Sequence, residues 1–253
     1  MKLLTNSWHG LPFEPPDFCG MDSRENWQLN LKRQPEDWIW RTRPVRYTVN
    51  SQGYRCPEWD QISWADSVLM FGCSYVFGVG IDDQDTMAHQ LSLALSAPVI
   101  NLGQGATDDT FQWVNSTVLA HAGIRPRAVI YLWPGVHRLT EFLGQGRVNN
   151  WGPWNAHMNP MAANWVTNET HIWEYLSYLS LNVRTLWSCP VLEYYPYMYP
   201  PDQRGTIKPW GCVLDAARDV APQGAYHPGI ETNLGWVRSF LLPDLAVQGI
   251  RAI

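Results

Sequence analysis

Ser74 stands two residues after a glycine at the end of a short apolar run, Val68-Leu69-Met70-Phe71-Gly72-Cys73-Ser74-Tyr75. Glycine at that position lets the chain turn sharply off a strand, so a hydroxyl sits exposed at the strand's carboxyl end and a following backbone N–H faces a developing oxyanion. Those are the requirements of a nucleophile, although serine is also a favoured helix cap. A serine nucleophile needs a base for its proton, a group to orient that base, and donors for the oxyanion. Of the seven histidines, His227 in Ala225-Tyr226-His227-Pro228-Gly229 is best placed, after the last strand-like run and just before a closing helix. Other chemistries find little support. The histidines lack H-x-H or H-E-x-x-H spacing, and Gly78-Val79-Gly80 is followed by neither a third glycine nor Gly-Lys-Ser/Thr, so no metal and no cofactor are expected.

These residues need a scaffold that brings strand ends together. The run at 68–72 is too short for a buried helix and reads as a fully buried parallel strand. Pro98-Val99-Ile100-Asn101-Leu102, Ala128-Val129-Ile130-Tyr131-Leu132-Trp133 and Val191-Leu192-Glu193-Tyr194-Tyr195 read the same way. Between them lie helical patterns. Met87, Ala88, Leu91, Ala94 and Leu95 share one face after the acidic cluster at 82–85; Phe111, Val114 and Val118 follow Asp108 and Asp109; Ile172, Leu176, Leu179, Val183 and Leu186 make a long amphipathic helix. A closing helix runs from Gly229 to about Leu242, with Pro243 ending it. Strands alternating with helices at this spacing predict an α/β fold, a three-layer sandwich with a central parallel sheet, and Ser74 at its carboxyl edge.

Two regions fall outside that pattern. Residues 1–65 form an irregular, proline- and tryptophan-rich arm before an α/β domain at 66–253; within it Tyr47–Arg55 reads as a strand, an Asn-Ser-Gln-Gly turn and a return strand. From about 136 to 168 glycine, proline and tryptophan interleave without periodicity, which predicts a long loop insertion overhanging the Ser74 edge as a lid. The net charge is −5 with no basic stripe, which argues against nucleic acid as a partner. No segment is long and apolar enough for a signal peptide or a membrane span. Cys19, Cys56, Cys73, Cys189 and Cys212 lack C-x-x-C spacing and are odd in number, which fits a reducing compartment. The expected location is cytoplasmic, or else within a virion. Charged residues make up 16% of the chain, below the roughly 25% of an ordinary soluble domain, while tryptophans number 15. Most of those indoles are expected to pack; any that are exposed offer flat platforms to sugar rings or to an assembly partner.

Val76 occupies the place of the second glycine in a Gly-x-Ser-x-Gly elbow, which sets the chain apart from the α/β-hydrolases. The stretch instead resembles the first block of the SGNH (GDSL-type) hydrolases, with Gly72-Cys73-Ser74, Phe77-Gly78-Val79-Gly80 and an acidic helix start in sequence and Cys73 in place of the usual aspartate. Asn50-Ser51-Gln52-Gly53-Tyr54-Arg55 resembles the segment that leads into the nucleophile strand in a subset of that family, and Tyr226-His227-Pro228 resembles its final block. The resemblance implies a flavodoxin-like fold and a cofactor-free serine esterase acting on a small-molecule ester, and the tryptophan-rich stretch from 136 to 168 extends that expectation to a carbohydrate ester. It implies Ser74 as nucleophile, His227 as general base, and the N–H groups of Ser74 and Gly105 as oxyanion donors. The family's orienting aspartate falls at Gly224 here; Asp219, eight residues before His227, is the nearest upstream acid. Either Asp219 reaches the imidazole or a Ser-His dyad operates. The family's third-block asparagine is absent, Pro134-Gly135-Val136-His137-Arg138 standing there instead. That absence keeps open a second expectation, a non-catalytic binding or structural protein of the same fold, for example in a phage particle.

Overall fold

A computed structural model describes residues 1–6, 28, 31–37, 41–42, 47–134, 138–152, 155–167, 169–195, 208–209 and 228–251. Its strands, in chain order, are β1 (Thr5–Asn6), β2 (Val68–Gly72), β3 (Val99–Asn101), β4 (Ala128–Leu132), β5 (Leu139–Gly144), β6 (Arg147–Trp151), β7 (Val191–Tyr195) and β8 (Lys208–Pro209). Five of them form a sheet in the order β3-β2-β4-β7-β8, every neighbouring pair parallel. Parallel strands need crossover connections, and here these carry helices onto both faces. The helices are α1 (Ser74–Phe77), α2 (Met87–Leu95), α3 (Asp109–His121), α4 (Pro160–Thr167), α5 (Glu169–Leu186), α6 (Ile230–Trp236) and α7 (Leu242–Val247), with a π turn at Val237–Leu241 between the last two.

Side-chain alternation along the strands divides the core in two. Leu69, Phe71, Ile100, Val129, Tyr131 and Trp133 face α3 and α5, meeting Leu119, Leu176, Leu179 and Val183. Val68, Met70, Ile130 and Leu132 face α2, α6 and α7, meeting Met87, Leu91, Leu95, Trp236, Leu241 and Leu245. The result is the expected three-layer α/β sandwich. On the first face Phe71, Tyr131 and Trp133 stack in a ladder with ring centroids 5.0 and 4.7 Å apart. Trp133, Trp187 and Trp236 are core residues, and Trp59, Trp64, Trp113 and Trp165 are half-buried. None of these seven is the exposed platform that their abundance permits.

β2 lies between β3 and β4, and its outgoing helix α2 packs on one face whereas the helix that leads from β4 to β7, α5, packs on the other. Strand order therefore reverses at the β2/β4 edge, and the two connections leave a crevice outside the strands' carboxyl ends. Ser74 follows β2 directly.

Three expectations need correction. The stretch from 136 to 168 is not a plain loop: β5 and β6 pair as an antiparallel hairpin, β1 adds to it in parallel, and α4 follows. Its tight turn takes Gly144, Gln145 and Gly146 at φ 82°, 55° and 78°. No apolar alternation betrays the hairpin because its inward residues include Thr140 and Asn150, both buried and hydrogen-bonded to each other at 2.8 Å. Tyr47–Arg55 keeps its turn, with Asn50 C=O accepting from Gly53 N–H at 2.8 Å, but forms no strands. A second backbone bond closes the turn, Asn50 N–H to Tyr54 C=O at 2.8 Å, and side chains take further groups: both Asp83 carboxylate oxygens accept from Thr48 N–H and Asn50 Oδ1 accepts from Tyr54 N–H. Pro243 does not end the last helix but sits in the first turn of α7, where no N–H is required. No helix among the described residues is long and apolar enough to cross a membrane.

Candidate active site

The turn after β2 is held from several sides. α1 is a single helical turn, which cannot sustain itself by backbone hydrogen bonds alone. Side chains cap its orphan carbonyls instead. Asn101, at the end of β3 and 2% exposed, donates from Nδ2 to Val76 C=O at 2.8 Å and accepts from Gly103 N–H on Oδ1 at 3.0 Å. Arg55 donates to Phe77 C=O at 2.9 Å, Gly78 C=O at 2.7 Å and Ile81 C=O at 2.8 Å, and pairs with Asp83 at 2.5 Å. Its guanidinium also lies 4.6 Å from the Tyr47 ring centroid. A lone arginine reads from sequence as a surface ion pair; here it is buried and clasps the backbone behind Ser74.

Two glycines are fixed by close approach. A Cβ on Gly72 would lie 2.3 Å from Val76 Cγ2, and one on Gly103 would lie 2.4 Å from Phe77 N. The turn after β3 is thus pressed against α1. Gln104 N–H donates to Gly72 C=O at 3.0 Å, and Gln112 Nε2 donates to the same carbonyl at 2.8 Å. Gly105 is different: a Cβ there would meet nothing within 4 Å. Its neighbour Ala106 takes a left-handed φ of 60°.

Among the expected site residues, Ser74 and Gly105 are described, and they stand on two turns locked together through Asn101, Gly103 and Gln104. Ser74 is 7% exposed, not the open hydroxyl that the sequence suggests, because α1 is wedged between the β3 turn and the Arg55 clasp; Cys73 Sγ lies 3.9 Å from its Oγ. His227 and Asp219 lie outside the described residues, as does His137. Arg138, the other side chain after β4, donates to Thr107 C=O at 3.1 Å.

Next to this turn, sequence reasoning missed a pair of buried carboxyls. Asp108 caps α3, accepting from Phe111 N–H at 2.9 Å, and also accepts from Thr140 N–H at 2.7 Å and Thr140 Oγ1 at 2.5 Å. Burial raises its pKa, and those hydrogen bonds oppose the rise. Asp109 has no such support. Burial, then the neighbouring Asp108 charge, hold its carboxyl well above the usual range, with Arg138 opposing. The only signal in the sequence is the Asp-Asp pair itself, which reads simply as a helix start.

Fold and site together define a doubly wound α/β protein with a serine set at the topological switch point. No family model matches the chain, and no curated protein matches it. Solved structures do. The chain is similar to TesA at 12% identity and TM-score 0.48, over 72% of this chain and 99% of that one. It is similar to a putative lipolytic protein of the G-D-S-L family from Desulfitobacterium hafniense DCB-2 at 13% identity and TM-score 0.44, over 68% of this chain and 96% of that one. It is also similar to a carbohydrate esterase family 2 enzyme from Corynascus thermopiles at 11% identity and TM-score 0.41, over 73% of this chain and 67% of that one.

Proposed function

We propose that the protein is an ester hydrolase of SGNH type with Ser74 as its nucleophile. The observation that carries this reading is the lock between two turns: the one bearing Ser74 and the one bearing Gly105 share Asn101 and the Gly103 and Gln104 contacts as one rigid unit. Rate in acyl transfer depends on a nucleophile and an oxyanion donor held in fixed relation before the substrate arrives.

In this reading Ser74 Oγ attacks the ester carbonyl while His227 takes its proton. The oxyanion is held by the N–H groups of Ser74 and Gly105. Collapse expels the alcohol, which leaves with the proton from His227, and water then repeats the sequence on the acyl-enzyme to release the acid and restore Ser74. Asp219 orients His227. The substrate is a small or carbohydrate ester. A binding or structural role within a larger assembly is the competing reading, favoured by Pro134 and Gly135 standing where the family's third-block asparagine belongs.

A serine-directed fluorophosphonate, read by intact mass on wild type, Ser74→Ala and His227→Ala, separates the two. Labelling of wild type alone supports the hydrolase. No labelling of a folded wild type overturns it and leaves the binding role.

A further inference from the structure

Three consecutive peptide groups behind Ser74 are gripped by side chains at their carbonyl ends. A trans peptide is planar, so its C=O and N–H point in opposite directions and fixing one aims the other. Asn101 holds Val76 C=O at 2.8 Å, and the N–H across that peptide, from Phe77, donates to Cys73 C=O at 3.0 Å. Arg55 holds the next two. It donates to Phe77 C=O at 2.9 Å and to Gly78 C=O at 2.7 Å, and the N–H groups opposite them, from Gly78 and Val79, both donate to Ser74 C=O, at 2.9 and 3.1 Å. The two carbonyls that flank the Ser74 Cα are thus anchored on peptides that Asn101 and Arg55 hold. The Ser74 N–H shares its peptide with Cys73 C=O, so its direction is set at the same time. The fit is close: Gly78 takes a φ of 81°, and a Cβ there would lie 3.0 Å from Arg55 Nη1.

The arginine is itself fixed from the segment ahead of β2. Its Nε donates to Asp83 Oδ1 at 2.5 Å, Asp83 in turn accepts from Thr48 N–H, and the guanidinium lies 4.6 Å from the Tyr47 ring centroid and 5.6 Å from that of Phe77. A bond to Ile81 C=O at 2.8 Å, with Tyr47 Oη accepting from Gly80 N–H at 2.7 Å, extends the hold along the glycine turn. Two plainer roles account for less. Filling space needs no guanidinium, since an apolar side chain of similar volume avoids the cost of desolvating a charge. Pairing with Asp83 occupies Nε and leaves the three carbonyl bonds unexplained. What arginine adds is a rigid fork of donors that reaches adjacent carbonyls and a carboxylate at once, which lysine cannot do.

We propose that Arg55 is a positioning residue for Ser74, setting the direction of the Ser74 N–H and the place of its side chain by holding the Phe77 and Gly78 carbonyls. The segment at 47–55, expected from sequence to belong to the arm ahead of the α/β domain, thereby becomes part of the site. The inference rests on the ester-hydrolase reading for what the positioning serves, and deepens it by adding a residue that acts through the backbone and not on the substrate.

The test titrates wild type, Arg55→Ala and Arg55→Lys with a serine-directed fluorophosphonate well below their melting temperatures, so that the maximal labelling rate and the half-saturating concentration are read separately. Alanine is expected to lower the maximal rate about ten- to a hundredfold, the penalty of a misplaced reacting group, with the half-saturating concentration within about threefold of wild type. Lysine keeps the charge and the stem but not the fork, and is expected to fall between the two, at least about threefold slower than wild type. It decides the matter if the alanine variant does not fold. A residue that only stabilised the fold would lower the melting temperature and leave the maximal rate unchanged. A wild-type maximal rate in either folded variant, or a loss confined to the half-saturating concentration, overturns the proposal. If wild type itself does not label, the hydrolase reading falls, and Arg55 is judged by amide hydrogen exchange. Exchange at Gly78 and Val79 at least about tenfold faster in Arg55→Lys, with α5 unchanged, upholds its grip on the Ser74 turn; wild-type exchange there overturns it.

Discussion

Replacing Asn101 with alanine removes its bond across to the Val76 carbonyl of the Ser74 turn and the bond that holds the Gly103 amide in the turn after β3. The Val76 carbonyl and the Gly103 amide are then left in a buried site with no replacement, since Val76 and Asn101 are at most 2% exposed and Gly103 is buried. Each such orphan costs about 1–3 kcal/mol, so the variant is expected to lose about 2–6 kcal/mol, a large share of the roughly 5–15 kcal/mol that holds a protein folded. At about 2–4 °C per kcal/mol for a chain of this size, the melting temperature falls by roughly 4–24 °C. The chemical effect is separate and is read below the melt. With α1 released from β3, Ser74 no longer keeps its position, and fluorophosphonate labelling should slow by about ten- to a hundredfold, the penalty of a misplaced reacting group. Asn101→Asp keeps an acceptor for Gly103 but sets a second oxygen against the Val76 carbonyl, so its labelling rate relative to wild type at the same pH should recover as the pH is lowered and that oxygen takes up a proton. An Asn101→Ala protein that melts within 2 °C of wild type and labels at its rate would refute the claim that this side chain couples the two turns.

Two further outcomes follow from the same geometry. Gly103→Ala drives a methyl group into the Phe77 amide and should destabilise the fold by about 1–3 kcal/mol or more, whereas Gly105→Ala points into open space and should leave the denaturant midpoint nearly unchanged; equal midpoints would contradict the packing. Asp109, protonated in the folded protein well above the unfolded carboxyl value of about 3.9, binds more protons folded than unfolded over that interval, so its contribution to stability is full at low pH and declines as pH rises. Asp109→Asn removes that decline, and its gain in unfolding free energy over wild type should grow from about pH 4 by up to about 1.4 kcal/mol per unit; a gain independent of pH would show Asp109 ionised in the fold.

What the sequence disclosed is what buried parallel strands and amphipathic helices must write into it. β2, β3, β4 and β7 lie within or coincide with the four apolar runs because both faces of each are covered, and α3 begins after Asp108 as its charge pattern demands. Gly72 and Gly103 likewise mark places where close approach leaves no room for a side chain, whereas Gly105 is under no such constraint. What stayed hidden depends on partners distant in the chain. Asn101 reads as the polar end of a strand, and nothing near it announces Val76 as its acceptor. Arg55 reads as a surface charge until the carbonyls of 77, 78 and 81 are seen to converge on it. The β5–β6 hairpin escapes because its inward side is partly polar, Thr140 and Asn150 being matched to Asp108 across 32 residues and more of chain. The pair His227 and Asp219 is still a sequence-level proposal.

The placement of β1 bears on how the molecule comes to be folded during synthesis. Thr5 and Asn6 lie in register with Arg147 and Val148, and Leu4 gives its N–H to Asn115 and its C=O to Tyr54 and Asn115. A strand that pairs across some 140 residues waits on the ribosome for its partner, at about 5–20 residues per second for roughly 7–28 s. Throughout that interval two exposed strand edges, its own and later that of the hairpin, are open to other chains. The segment is therefore a late fastening: a nascent-chain pulse-proteolysis series should find residues 1–6 cleavable until Trp151 has cleared the exit tunnel and protected soon after.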